Sequence, residues 1–173
     1  MLSIIGSLDI NTVLDYLGKY GVLFLFIIVF LEYLNLPGLP AGVVMPATGI
    51  VIARGEVGFW PAILVSLLAG LLGSVILYFA GFLVGKRLID YLYKKFKSTR
   101  KPLEKVHDAM DKYSDRTMFL TRLIPIIRTI IPLVEGSSKK NFAHFLIYSS
   151  LGIFIWNLAT ISLGFYFEQW FLS

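Results

Sequence analysis

The sequence predicts an all-α membrane protein: an inverted repeat of a re-entrant hairpin followed by a transmembrane helix, with an amphipathic cytoplasmic helix between the halves. Three observations predict it. Long stretches carry almost no charge, two apolar stretches are broken by prolines and glycines, and the basic residues crowd into one segment. The 173 residues are 57% hydrophobic and 16% charged, against about 25% charged in a soluble domain. Tyr20 to Ala53 holds only Glu32, Val57 to Gly85 holds no charged residue, and Phe142 to Phe167 holds none, with His144 near its start. About 20 apolar residues cross a bilayer, so each stretch is long enough. A soluble bundle is the rival, but a chain of this size has too little polar sequence to cover three all-apolar helices. One membrane domain covers residues 1–173.

Charge sets the orientation. Residues 86–116 contain ten Lys and Arg against five acids, a balance of +5 that equals the net charge of the whole chain. Basic loops stay cytoplasmic, so this segment is expected there. A nucleic-acid patch is the rival reading, but the segment lies between apolar stretches and carries no recognition motif. Leu103, Val106, Met110 and Tyr113 recur at helical spacing, which predicts an amphipathic helix on the inner leaflet.

The elements then follow in order. Met1 to Tyr16 lacks the basic start and small-residue cleavage pattern of a signal peptide. A first span is expected at about 13–34, running from inside to outside, with the N-terminus in the cytoplasm. Residues 36–53 are apolar but hold Pro37, Pro40 and Pro46 with three glycines, which preclude a continuous helix. Irregular backbone at membrane depth must be buried in protein or line a cavity, so 36–53 reads as a re-entrant hairpin from the outside. A second span is expected at about 59–85. After the cytoplasmic segment 86–116, residues 118–135 are again apolar and broken, by Pro125 and Pro132, with Gly136 closing the segment. A last span is expected at about 141–167, preceded by Lys139 and Lys140. Two broken segments from opposite faces, each followed by a span, mark an inverted repeat with its site at the midplane. A twelve-residue glycine spacing, Gly73–Gly85 and Gly152–Gly164, is the weak sequence match between the halves.

Arg122 and Arg128 are the residues that most need a reason. A charged side chain in the bilayer costs about 2.5–3.5 kcal/mol on insertion scales. Six residues apart on an unbroken helix, they would point about 240° apart; the breaks at Pro125 and Pro132 let them converge. A convergent guanidinium pair suits the oxygens of a phosphate. The structural rival is that each snorkels to an interface or pairs with Glu32 or Glu135. Glu32 is the lone charge between Lys19 and Arg54. Low dielectric favours the protonated carboxyl, so Glu32 is a candidate proton carrier or a gate pairing with an arginine; its structural rival is a residue at headgroup level.

Gly70, Gly73, Gly81 and Gly85 thin one face of the second span, and Tyr78 adds a hydroxyl. Close helix packing is the leading role for such a face, a lipid-tail groove the second, and a homodimer contact is left open. Asn157 is expected to hydrogen-bond a broken hairpin backbone, Trp156 to pack, and His107 and His144 to be exposed or interfacial. Without cysteine, thiolate catalysis, disulfides and Cys-based metal sites are excluded. No nucleophile elbow, zinc helix or phosphate-cradling glycine loop occurs, so neither an enzyme nor a cofactor is expected.

The run Phe119-x-x-Arg122-x-x-Pro125-x-x-Arg128-Thr129-x-x-Pro132-x-x-x-Gly136, then Phe142 through Gly152 and Trp156-Asn157, resembles the DedA family, also called the SNARE-associated or VTT-domain family. Glu32 ahead of the Leu-Pro-x-x-Pro turn, and Gly73, Tyr78 and Gly81, fit the same family, and the resemblance covers about residues 20–167. It implies a polytopic protein of the bacterial cytoplasmic membrane with two opposed re-entrant hairpins, acting as a lipid flippase or scramblase. It further implies undecaprenyl phosphate returned to the cytoplasmic face for envelope synthesis, or phosphatidylethanolamine, and dependence on the proton motive force. By position, Glu32 matches the family's membrane acid, and Arg122 and Arg128 its essential arginine pair. The chain departs from the family at Pro40-Ala41-Gly42, where many members carry a second acid. It departs again at Ser74, where an aspartate is usual, and at Glu135, where an alanine is usual. These departures bear on proton coupling and substrate. The expected function is translocation of an anionic lipid phosphate, undecaprenyl phosphate first and a glycerophospholipid second. A proton-coupled ion exchanger is the reading from a different class, and a lipid phosphate enzyme the weakest.

Overall fold

The computed structural model of the chain describes residues 10–34, 42–84, 128 and 131–171. Arg122, Pro37, Pro40, Pro125, Gly85, the segment 86–116 and most of 118–130 lie outside the described residues. The described elements are all helical: α1 (Ile10–Tyr33), α2 (Val44–Ala53), α3 (Phe59–Val84), α4 (Ile131–Ser137) and α5 (Phe142–Phe171). Three of them hold stretches long and apolar enough to cross a membrane, Leu14–Tyr33, Phe59–Val84 and Phe142–Trp170. With its apolar exposed faces, the chain is a multi-pass membrane protein.

The helices start where backbone chemistry favours it. Pro46, Pro61 and Pro132 stand in the first turns of α2, α3 and α4, where a missing N–H breaks no helical hydrogen bond. Pro46 and Pro132 therefore begin the helices of the broken segments and do not interrupt them. Asn141 caps α5, its Oδ1 accepting from the Ala143 and His144 N–H groups, which satisfies two orphan donors. α1 is bent within its length at Gly21, whose φ of 56° and ψ of −137° are non-helical. Glycine adopts that conformation without a Cβ clash.

α2 and α4 end in the same way. After α2, Gly55 N–H donates to Ile52 O and Glu56 N–H to Val51 O; after α4, Lys139 N–H donates to Gly136 O and Lys140 N–H to Glu135 O. Both are Schellman closures, with the left-handed residue at Gly55 (φ 81°) in one and at Lys139 (φ 51°) in the other. A lysine there carries a Cβ strain that glycine avoids.

Two compact units divide the chain, Met1–Leu72 with Phe154–Ser173, and Gly73–Ile153. In the first, α1 packs on α2, and α2 lies along the second half of α5. Gly49 sits against Ile161 O, Gly164 C and Phe165 N, and Gly164 sits against Pro46. Five residues beyond Gly49, Arg54 reaches Glu168, so α2 and α5 run in the same direction. The first half of α3 runs antiparallel to α5, with Phe59 against Phe165 and Ser66 bonded to Asn157.

The second unit repeats these relations with other residues. Gly136 of α4 sits against Tyr78 O and Phe82 N, and Gly81 against Leu133. Gly81 and Gly164 are both the twenty-third residues of their helices, and Tyr78 and Ile161 both the twentieth. Each short helix thus meets a long one through a reciprocal pair of glycines at one register, where main chains touch because no side chain separates them. By helix position and by contact, Gly81 corresponds to Gly164. Gly81 faces Leu133 within the chain, so this glycine serves internal packing and is not free for a homodimer or a lipid tail.

The outward faces repeat too. Leu64, Leu68 and Leu72 on α3, and Ile147, Leu151 and Ile155 on α5, are exposed at four-residue spacing and matching helix positions. Such aliphatic stripes require lipid around them. Trp60 and Trp170, 63% and 82% exposed, have the amphipathic rings of a membrane interface.

Candidate functional site

Within this apolar frame the described buried polar residues are few: Glu32, Thr48, Ser66, Ser74, Arg128, Glu135, Ser149 and Asn157. Glu32 is the penultimate residue of α1 and only 3% exposed; Tyr33 beside it is also buried. The carboxylate thus lies at the end of α1 remote from the Gly21 bend. Arg128 is 1% exposed and stands three residues ahead of α4. Among the described residues it is the bulkiest fully buried side chain. Glu135, on α4, is fully buried in the same unit. Glu32 belongs to the first unit and Arg128 to the second. Sequence reasoning pairs Arg128 with Arg122, which is outside the described residues.

Asn157 does not bond a hairpin backbone as expected. Its Nδ2–H donates to Ser66 Oγ at 3.0 Å, and Ser66 Oγ–H donates in turn to Ile63 O at 3.0 Å. The amide therefore ties α5 to α3 in the first unit. Its helix-position counterpart on α3 is Ser74, and the counterpart of Ser66 is Ser149, both fully buried. Thr48 meets its need locally, donating to Val44 O at 2.8 Å, the back-bond that lets a hydroxyl sit in an apolar helix.

Tyr78, expected to supply a hydroxyl, does so: it donates to Lys140 O. Its ring packs on Phe145 at 4.5 Å and Phe142 at 5.4 Å. The hydroxyl and the contact of Gly136 with Tyr78 O hold the end of α4 against α3. Gly136 is the penultimate residue of α4 and makes that contact. Gly73 is buried in α3. His144 is exposed, as expected.

At the exposed end of the first unit, Arg54 Nε donates to Glu168 Oε1 at 2.8 Å. That hydrogen bond raises the guanidinium pKa; burial opposes the shift, and the charges of Glu168 and Glu56 add to it. The Arg54 side chain is half-exposed and that of Glu168 mostly covered; surface pairs contribute about 0–1 kcal/mol. Sequence reasoning passed over Gly49, Ser66 and this ion pair. The signal that could have found the first two is the coincidence of helix positions, visible only once α3 and α5 are aligned from Phe59 and Phe142.

The chemistry available is therefore a buried guanidinium with a buried carboxylate nearby in sequence, and a second buried carboxylate in the other unit. A cation so placed binds an anion or neutralises an acid; it supplies no nucleophile. Among the described residues no group of three His, Cys, Asp or Glu side chains is placed to hold a metal ion.

The VTT domain matches residues 37–166. The chain is 27% identical over 154 residues to undecaprenyl phosphate transporter A of Staphylococcus aureus, covering 87% of this chain and 75% of that protein. It is 31% identical over 157 residues to an alkaline phosphatase-like protein of Lactococcus lactis, covering 88% and 72%. It is 26% identical over 174 residues to the protein DedA of Escherichia coli, covering 96% and 78%. No solved structure matches the chain significantly.

Proposed function

We propose that this chain, which belongs to the VTT-domain family, called DedA after its Escherichia coli member, moves an anionic lipid phosphate between leaflets of the bacterial cytoplasmic membrane. Undecaprenyl phosphate is the leading substrate. The observation that carries the reading is Arg128, a guanidinium 1% exposed in a chain whose long helices present aliphatic faces to lipid. A buried cation costs too much to be retained for packing alone, and a planar five-donor guanidinium matches phosphate oxygens. Arg128 and Arg122 bind the headgroup, and the lipid tail stays in the bilayer. The transporter of Staphylococcus aureus, with its printed substrate, supports the choice of lipid.

Glu32 is the proton-coupling or gating group, supported by its burial at the end of α1. The two halves, α2 with α3 and α4 with α5, form an inverted repeat, and α2 and α4 are returning arms of its two re-entrant hairpins. Their support is the shared register of the glycine contacts and the shared Schellman closure.

Purified protein in liposomes loaded with undecaprenyl phosphate or phosphatidylethanolamine, with headgroup accessibility read on each side, tests this. Movement of either lipid phosphate supports translocation, and the ratio of the two identifies the substrate. Release of inorganic phosphate points to hydrolysis, and ion-driven proton movement without lipid movement points to an exchanger; either result removes the proposal.

A further inference from the structure

We infer that Asn157 is a positioning residue for Glu32. Its side-chain oxygen accepts a hydrogen bond from the Glu32 carboxyl when that group is protonated, and has none to accept when it is ionised. The inference rests on the reading of Glu32 as a proton-coupling or gating group, and adds the residue that holds the proton in place.

Chemistry fixes how the Asn157 amide is turned. Ser66 Oγ–H is spent on Ile63 O, so the group facing Ser66 Oγ has to be a donor, and it is Asn157 Nδ2 at 3.0 Å. The amide oxygen is thereby turned to the other side. Asn157 is fully buried, and among the described residues nothing donates to its Oδ1. An acceptor so placed has lost water without gaining a partner, which folded chains rarely leave without a reason. The nearby hydroxyls are committed, Thr48 to Val44 O and Thr160 to Trp156 O. The same helix position recurs: Ser74, sixteenth residue of α3 as Asn157 is of α5, is also fully buried, and its Oγ has no partner among the described residues. Each of these oxygens stands in a unit that holds a buried charge, Asn157 in that of Glu32 and Ser74 in that of Arg128.

Contacts inside the first unit bring Glu32 to the level of Asn157. α1 packs on α2, and Gly18 lies against the carboxylate of Glu56 in the turn after α2, so the two helices run antiparallel. Glu32, at the far end of α1, then lies beside the start of α2. α2 runs in the same direction as α5, with Gly49 against Ile161 and Phe165 and Arg54 bonded to Glu168. Val44, about 7.5 Å before Gly49 along the helix axis, is therefore level with the turn of α5 that carries Asn157. A protonated carboxyl offers one O–H at this level, and an ionised one offers only acceptors. Among the described residues, Tyr33 is the only other titratable group there. α2 has none, and neither has α3 from Phe59 to Leu72 or α5 from Phe154 to Phe165. Lys19, Arg54, Glu56 and Glu168 stand at the opposite end of the unit.

Infrared spectroscopy of the purified chain in liposomes reads the protonated Glu32 carboxyl directly, its carbonyl band being the one lost in Glu32→Gln. Asn157→Leu removes the acceptor and is expected to lower the pH at which half of that band is lost by roughly 0.4–1 pH unit, the worth of one hydrogen bond. Ser66→Ala keeps Oδ1 and is expected to move the midpoint less, although both variants lose the bond between α5 and α3. A midpoint unchanged in Asn157→Leu, or moved no further than in Ser66→Ala, overturns the inference. So does a parent chain in which no Glu32 band titrates. Should Asn157→Leu fail to fold, Asn157→Val, nearer in volume, gives the same reading. The band reports Glu32 whether or not the chain moves lipid. A failure here therefore leaves translocation standing, and a failure of translocation leaves this titration intact.

Discussion

Gly136 lies directly against the main-chain carbonyl of Tyr78. Gly49 stands in the same relation to Ile161, and Tyr78 and Ile161 hold the same position in α3 and α5. The contact brings main chains together at a distance that no side chain permits, and it fixes the short helix that follows Arg128.

Gly136→Ala and Gly49→Ala should each lower stability by about 1–3 kcal/mol, because the new methyl group meets backbone that cannot yield. Gly18→Ala meets the flexible end of the Glu56 side chain and should cost much less. Thermal unfolding in detergent checks the ordering: losses of roughly 2–12 °C for the first two, from about 2–4 °C per kcal/mol, and a small shift for the third.

Tyr78→Phe removes the hydrogen bond to Lys140 O and leaves the ring contacts in place. A loss of about 0.5–1.5 kcal/mol is expected, seen as a lower unfolding temperature. Stability equal to that of the parent would show that the hydroxyl does not hold the turn.

Asn157 and Ser66 should behave as a coupled pair. A double-mutant cycle with Asn157→Leu and Ser66→Ala is expected to give a coupling of about 0.6 kcal/mol, the average for interhelical hydrogen bonds in membranes, with about 1.7 as a ceiling. Additive losses would mean that the bond between α5 and α3 contributes nothing.

Arg54→Ala and Glu168→Ala should each change stability by less than about 1 kcal/mol, and the effect should fade in high salt, since the Arg54 side chain is half exposed and such pairs are screened. Unfolding temperatures at two ionic strengths read this out. A large, salt-insensitive loss would place the pair in a drier setting than its exposure indicates.

The apolar stretches overlap two of the long helices: 59–85 expected against Phe59–Val84, and 141–167 against Phe142–Phe171, which runs four residues further. Hydropathy is a local property, and a long uncharged run has few other ways to satisfy its backbone in lipid. Contacts between distant segments were not legible in that way. The bond from Asn157 to Ser66 depends on how α5 turns its amide toward α3, which spacing does not fix. The prolines were read as breaks, since their missing N–H is damaging in mid-helix; at Pro46 and Pro132 it falls in the first turn and does no damage. The bend at Gly21 escaped notice because a single glycine in an apolar run usually stays helical. That Glu32 and Arg128 need a reason was legible, because a charge isolated in such sequence has to be hidden or used; their burial was not, since an interfacial position fits the same sequence.

The most direct measurement is the rate at which undecaprenyl phosphate changes leaflets in liposomes holding the parent chain, Arg128→Ala or Arg128→Lys at equal protein. Losing one charged hydrogen-bond partner of a buried anion costs about 1.5–3 kcal/mol, roughly tenfold or more in rate. The account predicts rapid exchange by the parent and at least a tenfold loss in Arg128→Ala. It also predicts little rescue by Arg128→Lys, whose ammonium lacks the planar fork. Parental exchange rates in a folded Arg128→Ala protein would contradict it.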